Sequence, residues 1–413
     1  MSSLYSKKSL LGLSIAAALA APTAAIAFDY GATKVRGVNI GGWLVLEPWI
    51  TPSIFENVGD AAVDEWSLCE TLGADQCRST LSGHWASWIT QDDFTQIAAA
   101  GMNHVRIPIG YWAVNRVGNE PYVDGQLEYL DAAVGWARAA GLKVMVDLHG
   151  APGSQNGFDN SGRRGAINWQ QGNNVEDTKN ALKLLAARYA RDTDVVTAIE
   201  ALNEPSIPGG VNESGLQQYY FDSWGVAREA SPETAVVLHD GFMPTESWNG
   251  FMSGSTGFYY VMMDTHHYEV FDNGLLTLDT TSHVRNTCQF VEDHVLHADK
   301  WTVVGEWTGA MTDCAKYLNG KGVGARYDGT YPGSSVVGSC AGKSFGNMDT
   351  LTGDERTNIR KFIEGQLDAY EKGSGWLYWT WKTEGAPEWD MQMQLAGGVF
   401  PNPVTSRQFP GQC

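Results

Sequence analysis

The segment VVTAIEALNEP, residues 195–205, decides how the rest of the chain is read. Its apolar, β-branched opening predicts a strand buried on both faces. Pro205 has no backbone N–H and a fixed φ, so a central strand cannot continue through it, and helix is disfavoured at the residue before it. The strand is therefore expected to stop at Asn203–Glu204, with an amide and a carboxylate held side by side at its tip.

Seven other runs share that character: VRGVNIGGWL (35–44), HVRIPIG (104–110), KVMVDLHG (143–150), TAVVLHDG (234–241), YVMMDTHHY (260–268), TVVGEW (302–307) and GWLYWTWK (375–382). Helical patterns separate most of them. Leu127, Leu130 and Val134 recur at helical spacing until Gly141; Leu182, Leu185 and Tyr189 repeat the pattern; residues 354–372 give another, stopped by Gly373. Eight strands alternating with helices predict an α/β fold, a (β/α)8 TIM barrel forming a single domain with long strand-to-helix loops. An open doubly wound sheet competes with it. That sheet calls for a Gly-rich phosphate turn after the first strand, and GVNIGG lacks the G-x-G-x-x-G spacing.

The 413 residues include 47 acidic and 28 basic ones, a net charge of −19 with no Lys/Arg run. Nucleic acid and anionic membrane are therefore poor partners, and a neutral ligand fits better. The 16 Trp and 16 Tyr offer flat apolar rings with polar edges, which suit sugar faces as well as cores. The first 30 residues carry Lys7 and Lys8, then the apolar LLGLSIAAALAA, then the small-x-small pattern Ala25-Ile26-Ala27. The apolar run is too short to span a bilayer and fits a signal peptide. The expectation is a signal peptide over 1–27, a catalytic domain over 28–413, and a protein secreted to the exterior or the cell wall. Six cysteines in an exported chain suggest three disulfides, and no Cys-x-x-Cys pair points to zinc. Spacing alone allows 15 connectivities, with Cys69 and Cys77 closing one short loop. Asn212-Glu213-Ser214 is a glycosylation acceptor pattern.

The runs end in polar or aromatic residues: Arg106, His149, Asn203-Glu204, Asp240, His266-His267-Tyr268, Glu306-Trp307 and Trp379. A parallel barrel puts all strand C-termini on one face, so these residues are expected to converge on one cleft. Glu204 and Glu306 stand out, because paired carboxylates flanking a bond are the machinery of glycoside hydrolysis. One must carry a proton for the leaving oxygen while the other stays charged to attack the sugar carbon. Asn203 is placed to hold the sugar 2-hydroxyl, and Arg106 to keep a nucleophile ionised. His149, His266 and His267 invite a metal, but H-E-x-x-H is absent and none is expected. A serine hydrolase needs G-x-S-x-G, which neither GSSVVG (333–338) nor GSTG (254–257) supplies.

Seven of these segments taken together, RGVNIGGWLVLEPWITPSIF, HVRIPIGYW, DLHGAPGSQNGFDNSG, LNEP, HHYEVF, VGEW and WTWKTEGAPEW, resemble in order the fungal exo-β-1,3-glucanases of glycoside hydrolase family 5. The resemblance runs over nearly the whole mature chain. It implies a retaining (β/α)8 hydrolase with Glu204 as acid/base and Glu306 as nucleophile. Arg106, His149, Asn203, His266 and Tyr268 match positions lining the cleaved sugar's subsite, and strand alternation then turns His267 the other way. Trp379 matches the tryptophan flooring that subsite, although Trp381 has the same parity. Glu47 matches a residue holding the terminal glucose's hydroxyls, and Phe158 and Phe271 an aromatic pair gripping the next glucose. The resemblance also implies the disulfides Cys288–Cys413 and Cys314–Cys340, which leaves Cys69–Cys77. The segment 311–350 looks like a variable insertion, and no appended carbohydrate-binding module is seen.

The function expected on this basis is a secreted glucan 1,3-β-glucosidase working by retaining double displacement. Its partner would be a β-glucan polysaccharide or oligosaccharide; it would need no cofactor and act as a monomer. A β-1,6-glucanase, a broad β-glucosidase or an inactive glucan-binding barrel are the alternatives, and the presence of both Glu204 and Glu306 weighs against inactivity. Release of single glucoses requires a pocket rather than a groove. The segments 45–92, 151–173 and 308–352, long and without evident secondary structure, are expected to be the loops that close it.

Overall fold

Eight parallel strands close on themselves in chain order. They are β1 (Val35–Asn39), β2 (His104–Gly110), β3 (Lys143–Gly150), β4 (Val196–Glu200), β5 (Ala235–His239), β6 (Val261–His267), β7 (Trp301–Trp307) and β8 (Gly375–Tyr378). β1 pairs with both β2 and β8, which seals the barrel. The computed structural model describes residues 28–413; the expected signal peptide, 1–27, lies outside the described residues. Helices surround the barrel: α1 (Pro52–Glu56), α2 (Glu65–Leu72), α3 (Ala74–Trp88), α4 (Gln91–Ala99), α5 (Gln126–Ala140), α6 (Asn174–Tyr189), α7 (Glu213–Ala230), α8 (Thr280–Phe290), α9 (Gly353–Tyr370) and α10 (Met391–Ala396). The three expected helical runs are α5, α6 and α9. Gly141 ends α5 in the left-handed conformation at φ 75°, which glycine adopts without a Cβ penalty.

Strand alternation sorts the barrel interior into layers. One end is apolar, with Val35, Met145, Ala198, Val237, Met262, Val303 and Leu377 packed on one another. Two residues further along the same faces the interior becomes charged: Asp147 follows Met145, Glu200 follows Ala198, and Asp264 follows Met262, all fully buried. Arg106 of β2 is buried among them. Two residues beyond again stand His149 and His266, while on β8 Trp379 comes two residues after Leu377. The sequence thus builds an apolar plug beneath a buried charged layer, and the pocket opens above that layer.

Several boundaries differ from expectation. β4 ends at Glu200, so Asn203 and Glu204 lie beyond the strand in a connection that Asn203 still anchors through its N–H to the Leu148 carbonyl, 3.0 Å away. β1 and β8 likewise end at Asn39 and Tyr378, short of 44 and 382. Segment 45–92 is not a bare loop. It carries α1, α2 and α3, and the Cys69–Cys77 bridge links the latter two helices. Their apolar faces are short and interrupted by buried polar residues such as Glu65 and His84, which hides the helical period. Segments 151–173 and 308–352 hold only short 3-10 turns. All three implied disulfides are present.

Asp240 and Trp307, two of the strand-end residues, do not reach the cleft. Asp240 is buried and accepts a hydrogen bond from Thr265 Oγ1 at 2.6 Å. Trp307 packs outward against Tyr370, Trp376 and Tyr378. The register between β6 and β7 slips by one residue at Gly305, an irregularity of the bulge type that turns consecutive residues 305 and 306 inward and sends 307 out.

Candidate active site

Glu204 and Glu306 meet across one imidazole. Nδ1 of His266 lies 2.8 Å from Glu204 Oε1 and 3.5 Å from Glu306 Oε2. Those two oxygens are thus no further apart than the two distances laid end to end, short of the roughly 6.5–9.5 Å at which a water fits between inverting carboxylates. Glu204 reaches this position in the left-handed region, φ 47°, a conformation that costs energy for any residue with a side chain. Buried Gln155 holds it there: its Nε2 donates to the carbonyls of His149, at 2.8 Å, and Asn203, at 2.9 Å.

The two carboxylates have different partners. Glu306 accepts from Arg106 Nη1 on one oxygen and from the Tyr268 hydroxyl on the other, each at 2.8 Å. Glu204 accepts from His266 and from Asn160 Nδ2, at 3.1 Å. Arg106 is fixed on every side, with Nε donating to Glu200 at 2.7 Å, Nη2 to Asn203 at 2.8 Å, and Asp147 at 3.2 Å. Asp264 spans His266 Nε2, at 3.4 Å, and the Gly305 N–H, at 2.7 Å. A Cβ on Gly305 would stand 2.1 Å from that carboxylate, so only glycine admits it.

Burial and charge divide the protons. Burial alone would lower His266, but Glu306, Asp264 and Glu204 hold its imidazole protonated well above the ordinary range. Burial pushes Glu204 up, and the hydrogen bond and charge of His266 overcome it and leave the carboxyl below its usual value. Burial lifts Glu306 above its usual value, against the pull of His266 and Arg106. One proton therefore serves Glu204 and His266 and rests on the imidazole side, a hydrogen bond away from the carboxylate. Glu47 is raised well above the carboxylate range by burial and by Asp159, whose own carboxyl burial pushes up to about 7.

Above the carboxylates lies a pocket of about 480 Å³. Glu47, Glu204, Glu306, Tyr268, Trp379, Phe158 and Phe271 all line it, as expected. The side chains of Arg106, His149, Asn203 and His266 are buried beside the two carboxylates. Two of their atoms, Asn203 Nδ2 and His149 Nε2, have no hydrogen-bond partner among the described residues. Trp379 lies parallel to the His149 ring at 5.6 Å. Trp381 turns away and donates to Asp93 at 2.8 Å, which separates the two tryptophans that parity left equivalent. His267 faces backward, stacked on Phe290 at 4.0 Å. The expected loops all contribute: Trp49 from the first, Asp159 and Asn160 from the second, Leu318, Asn319, Arg326 and Tyr331 from the third. Sequence reading missed these. Asp159 and Asn160 adjoin Phe158 in FDN, and Asp147 and Asp264 stand two residues before His149 and His266, where alternation alone points inward. A second cavity, about 540 Å³, lies around Cys314–Cys340 and contains neither carboxylate.

A family model described as cellulase (glycosyl hydrolase family 5) matches residues 72–322. The chain belongs to glycoside hydrolase family 5. It is 61% identical over 417 residues to an Aspergillus fumigatus protein named "Probable glucan 1,3-beta-glucosidase A", covering 99% of each chain. It is 54% identical over 393 residues to a Blumeria graminis protein named glucan 1,3-beta-glucosidase, covering 94% of this chain and 91% of that one. In fold it is similar to a rutinosidase from Aspergillus niger, with a TM-score of 0.72 at 20% identity over 91% of this chain and all of that one. As a family 5 member it is a glycoside hydrolase of the retaining kind. The nearby acid and histidine groups suit that chemistry better than a metal. Glu204, His239 and His266 bring ligand atoms within 4.8 Å of one another, as do Glu200, Asp264 and His266. In both sets His266 is already engaged, with Glu204 at 2.8 Å and Asp264 at 3.4 Å.

Proposed function

We propose that this family 5 hydrolase is a secreted exo-acting glucan 1,3-β-glucosidase that releases glucose from the non-reducing ends of β-1,3-glucan, with Glu306 as nucleophile and Glu204 as acid/base. The observation that carries the assignment is the asymmetry of partners. Glu306 is held by a permanent cation and a hydroxyl donor, which suits an ionised nucleophile. Glu204 is held by an imidazolium that can return its proton, which suits a group that must gain and lose one.

The steps follow. Glu204, taking the proton from His266, protonates the glycosidic oxygen as Glu306 Oε attacks the anomeric carbon. The C–O bond to the leaving sugar breaks and a glycosyl ester forms. Glu204, now charged, draws a proton from water, which attacks the ester and frees glucose with its β configuration retained. Asn203 Nδ2 offers its unpaired donor to the 2-hydroxyl, and Trp379 floors the ring. Glu47, beside Trp49 on the pocket wall, hydrogen-bonds the hydroxyls of a terminal glucose. Phe158 and Phe271 carry the next one.

The names of the relatives support the 1,3 linkage and a β-glucan partner. Three disulfides support an oxidising, exported setting, and no helix among the described residues is long and apolar enough to cross a membrane. Asn212 is exposed at the start of α7, where its side chain accepts through Oδ1 from the Gly215 N–H and its backbone bonds to Gln170, and its exposed side chain supports glycosylation there. The test is early product analysis of the purified protein on laminarin and on a β-1,6-glucan. Glucose as first product, faster from laminarin, is expected. Faster release from the β-1,6-glucan would move the reading to that linkage, and no release from either would leave a glucan-binding barrel.

A further inference from the structure

Lys321 stands in the third long loop and is 6% exposed. It has no carboxylate partner among the described residues. Its Nζ instead donates to three backbone carbonyls of the first loop, Phe55 and Ala62 at 3.1 Å and Gly59. Phe55 lies in the last turn of α1, a helix end at which a cation is favoured, and its carbonyl also accepts from the Val58 and Gly59 N–H groups. A buried ammonium whose every proton meets a carbonyl is a fixed link between two loops.

The second loop joins at the same residue. Arg164 Nη1 donates to the Lys321 carbonyl at 3.1 Å, while its own N–H donates to Asp64 at 2.7 Å. Gly320 sits at φ 104°, a conformation that strains residues with a side chain, and a Cβ there would displace Arg164 Nη1, 2.6 Å away. Two residues back, Asn319 Oδ1 accepts from Arg326 Nη1 at 2.6 Å. Arg326 lies 3.8 Å over the Tyr331 ring and 6.0 Å from the Phe271 ring. Residue 321 is thus where the loop carrying Phe158 and the contacts reaching Phe271 are tied to the first loop. Both rings line the pocket and are 48% and 42% exposed; Phe271 leans on Tyr268 and Trp389, while the position of Phe158 depends on its loop.

We infer that Lys321 is a positioning residue that sets the separation of Phe158 and Phe271 and so the preference for a glucan chain over a single glucoside. This rests on reading the site as a glucan hydrolase. It touches no reacting atom, so its loss should spare chemistry on a small substrate.

The test compares laminari-oligosaccharides with an aryl β-glucoside, on full-length mature protein. Lys321→Met keeps the stem and removes the ammonium. Its kcat/KM on oligosaccharides should fall about tenfold, the scale of losing a charged hydrogen-bonded link, with the change in KM and the aryl glucoside rate kept. Lys321→Arg should hold near the parent ratio. If Lys321→Met does not fold, Lys321→Ala in propylammonium should regain the oligosaccharide preference, and tetramethylammonium, with no N–H, should not restore it. An unchanged substrate ratio in the folded Met variant, equal losses on both substrates, or failure of propylammonium rescue would overturn the inference. A parent protein inactive on both substrates would overturn the hydrolase reading instead.

Discussion

Glu204 and Glu306 are chemically the same side chain, and their neighbours give them different work. Glu306→Gln should nearly abolish turnover with the fold intact, since an amide cannot attack. Glu204→Gln should cost about 10²–10⁴ on laminarin, the usual worth of a general acid, but far less for the first step on an aryl glucoside whose leaving group needs no proton. Equal losses on both substrates, measured by pre-steady-state kinetics, would reverse the roles. Gly305→Ala tests the layer beneath. A Cβ there would displace the Asp264 carboxylate and with it His266, so kcat should fall about 100-fold, the cost of an ångström's misplacement, while circular dichroism stays unchanged. At this scale the sequence showed both carboxylates, because each follows an apolar run. It did not show that Glu204 sits in a left-handed turn, or that Gln155 braces the His149 and Asn203 carbonyls beside it. Those facts depend on where the chain turns after the strand, which residue type alone does not specify.

The strands were legible as elements because continuous apolar runs have few other uses in a barrel. Their ends were not. β4 stops at Glu200 although apolar residues continue to Leu202, since the chain leaves the sheet once Ala201 has bonded to Val237. The slip at Gly305 is likewise invisible to period-two reading, and it alone decides that Glu306 enters the barrel and Trp307 leaves it. The first long loop hid its helices because buried Glu65 and His84 break the apolar stripe. The aromatic mouth is the element whose role is most open to test. Phe158→Ala or Phe271→Ala should raise KM for laminaribiose several-fold, about 1 kcal/mol of lost ring contact, with little change on an aryl glucoside whose aglycone does not use the pair. Equal losses on both substrates would mean that the rings pack the fold.

Across the whole molecule, buried acids and buried histidines pull stability in opposite directions with pH. Burial pushes Glu65 up to about 8 and Asp159, Asp240 and Glu388 up to about 7. In the unfolded chain these ionise near pH 4, so the native state binds more protons above that pH and stability falls as pH rises toward 8. Burial lowers His84 and His267 to about 4 and His104 to about 3. Below their unfolded value near 6.5 the unfolded chain binds more protons, so stability also falls toward acid. Between pH 6.5 and 8 the carboxyls act without that opposition, and the melting temperature should drop by several degrees across this window in calorimetry. A rise there would contradict the burial of these acids. The central claim, that two carboxylates in a closed pocket free one glucose at a time with retention, is tested most directly by proton NMR of laminarin hydrolysis in its first minutes. The account predicts β-glucose as the first product, mutarotating afterward, with no shorter oligosaccharide series at low conversion. α-Glucose first, or a ladder of oligosaccharides, would contradict it.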